Sequence, residues 1–72
     1  MACISPDGKP TESGKKILDA AKENRTSEEI SITIGLPLFR VRSGLRDLME
    51  AGYLKEDGDK YKITEKGFKS LV

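Results

Sequence analysis

Seventy-two residues, 36% of them hydrophobic, make one small folded domain with a thin core rather than a disordered chain. Thirteen basic against twelve acidic residues leave a net charge of +1, which excludes a uniformly basic coat for nucleic acid and leaves only local clustering. One cysteine and no histidine exclude an internal disulfide and the usual structural zinc sets.

Residues 1–10 are rich in Pro, Gly and Ser and read as an irregular lead-in, with Ile4 able to tuck against the core and Cys3 as an incidental residue. The domain proper is expected over 11–72. Thr11 opens a helix running toward Asn24 and Arg25, with Gly14, Ile17, Leu18 and Ala21 inward and Lys15, Lys22 and Glu23 outward. Thr26 followed by Glu29 is a capping box that starts a second helix. Residues 30–34 alternate and are β-branched at four of five positions, which alone reads as a strand. The cap in front and the Gly35-Leu36-Pro37 turn behind favour a short helix, with Ile30 and Ile34 inward and Ile32 outward.

From about Pro37 to Ala51 the apolar residues recur at i, i+3, i+4 and i+7, the stripe of an amphipathic helix. Leu38, Val41, Leu45, Leu48 and Met49 form the buried side. Phe39, Arg40, Ser43, Arg46 and Asp47 are expected outward, with Arg42 on the flank. Gly44 faces the other helices, where a residue costing about 1 kcal/mol in mid-helix points to close packing. Gly52 suits a left-handed position just past the helix end.

Two alternating runs flank Asp57-Gly58, a hairpin signal over 53–64. Centred there, Leu54 faces Tyr61 and Lys55 faces Lys60, with Lys62 on the same basic face. Glu56 then opposes Asp59. Residues 64–72 read as a short closing helix with Phe68, Leu71 and Val72 inward. The pattern T-E-x-G-x-K-x-L occurs at Thr11–Leu18 and again at Thr64–Leu71, one helix-start solution used twice.

Helix, helix, turn, arginine-bearing helix and hairpin follow one another in this order. The segments G-L-P-L-F-R-V-R-S-G-L-R-D-L-M-E-A-G-Y-L and K-Y-K-I-T-E-K-G-F-K-S-L carry a resemblance to the winged helix-turn-helix family, similar to MarR- and ArsR-type transcriptional regulators. It covers about residues 14–71 and implies an α+β, mainly α fold: a three-helix core, a two-stranded wing and a short last helix. It also implies double-stranded DNA as partner, with helix 37–51 in the major groove. On that resemblance the contact positions are Pro37, Phe39, Arg40, Arg42, Ser43 and Arg46, joined by Lys55, Lys60 and Lys62 on the wing. The acidic residues Glu56, Asp57 and Asp59 at the wing tip depart from a phosphate-seeking wing.

An enzyme is not expected. The chain has no histidine, no Gly-rich phosphate loop and no serine beside a base, and nothing calls for a cofactor or metal. No apolar run approaches a signal or membrane span, so a cytoplasmic chain without membrane contact is expected. The alternative functions are a protein–protein winged helix in a larger complex, an RNA-binding one, or a homodimer formed through the first helix, Ile32 or the tail.

Overall fold

A computed structural model describes residues 3–72. Its order is α1 (Glu12–Ala20), β1 (Arg25–Thr26), α2 (Ser27–Ile34), α3 (Leu38–Glu50), β2 (Leu54–Asp57), β3 (Lys60–Ile63) and α4 (Glu65–Lys69). About half of the chain is helical, and the strands form one antiparallel sheet in the order β1-β3-β2. The fold is therefore a small α+β domain in which α1, α2 and α3 pack on one another, with α3 against β2 and α1 against β3.

Each helix begins and ends on a chemical instruction. At α2 the Thr26 hydroxyl accepts the Glu29 N–H at 3.1 Å while the Glu29 carboxylate accepts the Thr26 N–H at 2.8 Å. Both orphan donors of that first turn are thereby satisfied. Thr33 returns its hydroxyl to the Glu29 carbonyl at 2.8 Å, which lets a β-branched residue sit in this helix. The cap outweighs the strand-like alternation, and residues 30–34 are helical. Gly35, at φ 70°, ends the helix in the left-handed region.

Past Glu50, the Gly52 N–H bonds to the Met49 carbonyl and the Tyr53 N–H to the Leu48 carbonyl, at 3.0 and 2.9 Å. With Gly52 at φ 86° this is a Schellman stop. The segment after it supplies further caps: Lys66 Nζ donates to the Ala51 carbonyl at 2.6 Å and Thr64 Oγ1 to the Gly52 carbonyl at 2.7 Å.

The two echoes of T-E-x-G are structurally equivalent. Thr11 N–H donates to the Cys3 carbonyl at 2.9 Å and Thr64 N–H to the Tyr53 carbonyl at 3.0 Å. Each threonine hydroxyl then accepts the N–H of the glycine three residues on, Gly14 or Gly67, at 3.3 and 3.2 Å. A methyl group on either glycine would collide with that same carbonyl oxygen. Both glycines are buried for that reason.

Ile17, Leu18, Ile30, Val41, Leu45 and Leu48 are the fully buried centre, each stabilising the fold by about 1.5–3 kcal/mol relative to exposure. Leu38 and Met49, expected on the same stripe, lie at its half-buried edge. Cys3 joins this core from the segment before α1, and its thiol packs over Gly44. It is a packing residue rather than an incidental one. Burial, and secondarily the Asp47 carboxylate, push its pKa up. Ile4 pairs with Pro10 in an isolated antiparallel bridge and packs against the core.

Four expectations are corrected. The first helix stops at Ala20, because the Arg25–Thr26 segment pairs with β3 (Arg25 opposite Tyr61, Thr26 opposite Lys60) instead of coiling. The hairpin pairs Leu54 with Ile63, Lys55 with Lys62, Glu56 with Tyr61 and Asp57 with Lys60, not Leu54 with Tyr61 or Lys55 with Lys60. Its turn is thus Gly58-Asp59, in which Gly58 takes the sole positive φ, 66°. The register also removes the Glu56–Asp59 opposition and sets Asp57 against a lysine. Finally, Phe68 is half-exposed and Val72 is 96% exposed. α4 seats through Gly67, and of the three residues expected inward only Leu71 packs partly against the core.

Candidate functional site

The α2–turn–α3 unit is rigid at its corner. Ser31 Oγ donates to the Leu36 carbonyl at 2.5 Å and the Gly35 N–H to the Ser31 carbonyl at 2.9 Å. Pro37 then caps α3, its carbonyl accepting the N–H groups of Arg40 and Val41 at 3.0 and 3.1 Å. With Val41, Gly44, Leu45 and Leu48 buried, the 100° advance per residue turns Phe39, Ser43, Arg46 and Glu50 to the opposite side. All four are exposed, as is Pro37. Phe39 is 74% exposed, an aromatic ring presented to solvent at the start of a helix.

The arginines are not equivalent. Arg46 lies on the outward strip, with no ion-pair partner among the described residues. Arg42 lies on one flank, where its guanidinium is 3.9 Å from the Glu28 carboxylate of α2. Both partners are largely exposed, so this pair contributes about 0–1 kcal/mol and releases readily. Arg40, expected outward, is half-buried on the other flank with Asp47, close to Cys3. The reason is geometric: it sits nearly 90° from the outward direction, on the flank of α3 toward Cys3.

Acidic groups surround this face. Glu28 and Glu29 occupy the first turn of α2, and their pKa values are lowered by hydrogen bonding: Glu28 chiefly by its own backbone N–H and then by Ser27 Oγ, Glu29 chiefly by the Thr26 N–H. With Asp47 and Glu50 on α3, the arginines stand in a field close to neutral.

Lys55, Lys60 and Lys62 are exposed and share one face of the hairpin with Asp57. Asn24 Nδ2 donates to the Asp57 carboxylate at 3.3 Å, tying the hairpin tip to the end of the α1–β1 connection. Among the described residues no hydrogen bond or ion pair joins these lysines to α3, so the site residues fall into two groups. Lysines around α4, among them Lys66 and Lys69, gather on a further face that the alternation and helical stripe did not single out. Of the two, the T-E-x-G-x-K echo carried only Lys69.

Among the described residues no group of His, Cys, Asp and Glu is placed to hold a metal ion, and no helix is long and apolar enough to cross a membrane. The chain matches no family model and no curated protein.

Proposed function

We propose that this chain is a winged-helix DNA-binding module, similar to small MarR- and ArsR-type regulators, acting in transcriptional control in the cytoplasm. The observation that carries the reading is the outward strip of α3: Phe39, Ser43 and Arg46, flanked by Arg42, presented immediately after a tight helix–turn corner. An antiparallel hairpin follows in the chain, as a wing would.

In this reading α3 enters the major groove of double-stranded DNA. The Arg46 fork pairs bidentately with guanine O6 and N7, and Arg42 exchanges Glu28 for a base edge or phosphate. Phe39 packs on a thymine methyl, Ser43 accepts or donates one hydrogen bond, and Pro37 abuts the sugar-phosphate edge. Arg40, held on the flank, contacts backbone rather than bases. Lys55, Lys60 and Lys62 neutralise phosphates and release counterions. The test is fluorescence anisotropy of a labelled duplex pool across a salt series. Binding that weakens linearly in log salt, and weakens further in Arg42→Ala and Arg46→Ala with helical content unchanged, supports the reading; absence of binding at low salt overturns it.

One observation favours a second reading. Ile32 is 83% exposed on α2 and Phe39 is also exposed near the start of α3, so the same region offers apolar anchors to a protein partner or a second copy of the chain. Amide shifts at 32–46 that respond to a protein partner or to rising protein concentration, and not to duplex DNA or hairpin RNA, would select it.

A further inference from the structure

A second basic surface lies away from α3. A groove of about 630 Å³ runs between the segment before α1 and the α4 end of the chain, lined by Lys9, Lys15, Lys66 and Lys69 with Asp7 as the carboxylate on its wall. A shallower groove of about 380 Å³ shares Lys69 and adds Lys22 and Lys62 around the half-exposed ring of Phe68, with Glu65 at its rim. Because Lys69 lines both, the two grooves adjoin, and together they make a lysine-lined track. Six lysines line it against two carboxylates, with a third, Asp19, paired to Lys22, an excess of three. The whole chain is only +1, so everything else sums to −2.

We infer that this track binds the phosphate backbone of a single-stranded nucleic acid, on a face that shares no residue with α3 and only Lys62 with the proposed duplex site. Lysine is a point charge on a flexible stem, suited to a phosphate that it meets at variable angle. The Phe68 ring supplies what phosphate contacts alone do not explain: a half-exposed aromatic among lysines, with Lys22 Nζ 5.5 Å from its centroid. Aromatic platforms within a basic groove hold unpaired bases by stacking, with little regard for their identity. An acidic protein segment would use the charges and leave the ring without a role. Lys66 is already committed to the Ala51 carbonyl and stands 4.7 Å above the Tyr53 ring, so it marks the groove floor as a fixed charge. Lys22 and Lys69 have ion-pair partners in Asp19 and Glu65, at 3.1 and 3.5 Å, but these pairs are exposed and exchangeable.

The experiment is anisotropy of a labelled thymidine oligonucleotide, with duplex DNA and polyglutamate measured in parallel. Replacing Lys15, Lys22 and Lys69 together by Gln is expected to reduce the log-log salt slope for the oligonucleotide by about 2. Phe68→Ala is expected to weaken oligonucleotide binding about tenfold without altering that slope. Arg42→Gln/Arg46→Gln is expected to leave it unchanged. Oligonucleotide binding indifferent to both the lysine triple and Phe68→Ala overturns the inference. So does polyglutamate binding as tightly with no dependence on Phe68, which would make the track a seat for an acidic protein. Duplex binding that depends on α3, with no affinity for the oligonucleotide, removes the track and leaves the α3 reading intact. Lysine-dependent oligonucleotide binding without any duplex affinity does the reverse.

Discussion

Replacing Gly44 by Ala tests how α3 is held against the rest of the fold. A methyl group there would lie 2.5 Å from Cys3 Sγ and 2.7 Å from Ile17 Cδ1. Two effects oppose each other. Alanine improves mid-helix propensity by about 1 kcal/mol, whereas forcing a methyl into a filled core costs about 1–3 kcal/mol. The crowding term is expected to win, because Cys3 and Ile17 are themselves buried and have little room to retreat. The net loss should be about 1 kcal/mol, a fall in Tm of about 4–8 °C for a domain of this size.

The partner experiment is the same change in a Cys3→Ala background. With the sulfur gone, only the terminal methyl of Ile17 stands in the way, and it can turn into the space that the sulfur vacated. Gly44→Ala should then be close to neutral, giving a coupling of about 1 kcal/mol between the two positions by thermal or urea unfolding. A Gly44→Ala protein that melts higher than wild type would refute the reasoning. An identical penalty in both backgrounds would show that the sulfur is not what the methyl meets.

Thr26→Ala removes the reciprocal cap of α2 and should destabilise the domain by about 1 kcal/mol in urea unfolding, with Glu29→Gln retaining part of the cap and losing less. Asp7, Glu28 and Glu29 all have lowered pKa values, the first chiefly through the Ser5 hydroxyl and the other two chiefly through backbone N–H groups. Their contribution is therefore present above the ordinary carboxylate range and is lost as pH falls through and below it, which a series of urea midpoints in acid would record, with a shallower fall in Glu29→Gln. Cys3 should resist thiol reagents in the folded protein and react at its ordinary rate in denaturant, because it is buried and its pKa is raised. Ile32→Ser should leave the unfolding free energy within about 0.5 kcal/mol of wild type in urea, since that side chain is exposed.

What could be read from residue order was local chemistry. The capping box, the left-handed stops at Gly35 and Gly52, and most of the α3 stripe follow from spacing alone, since their partners lie within one or two turns. β1 was not legible. Arg25 and Thr26 carry no alternation, and they become a strand only because β3 lies beside them. The hairpin register turned on a subtler choice: centring the turn on Asp57-Gly58 as type I′ needs positive φ at both central residues, whereas Gly58-Asp59 needs it only at Gly58. The chain takes the latter and avoids a left-handed aspartate.

The candidate site divides in the same way. Phe39, Ser43 and Arg46 are outward by helix geometry, so their exposure was within reach of a helical wheel. Arg40 was not, because it lies on the flank toward Cys3, which belongs to an irregular segment whose path no periodicity reveals. The lysine track was hidden for a related reason. Its members come from the lead-in, α1, the connection after it, β3 and α4, and they are neighbours only after folding.

The matched seats at Thr11 and Thr64 bear on that track. One fastens the strip of chain that forms one bank, the other fastens the helix that forms the opposite bank, and each does so by the same threonine N–H to carbonyl bond beside a threonine–glycine cap. A channel moored on both sides keeps its width before anything enters it, so a visiting strand would give up its own freedom without also having to order the host. Slow hydrogen exchange at the Thr11 and Thr64 amides, unaltered when a ligand arrives, would be the signature of such a channel.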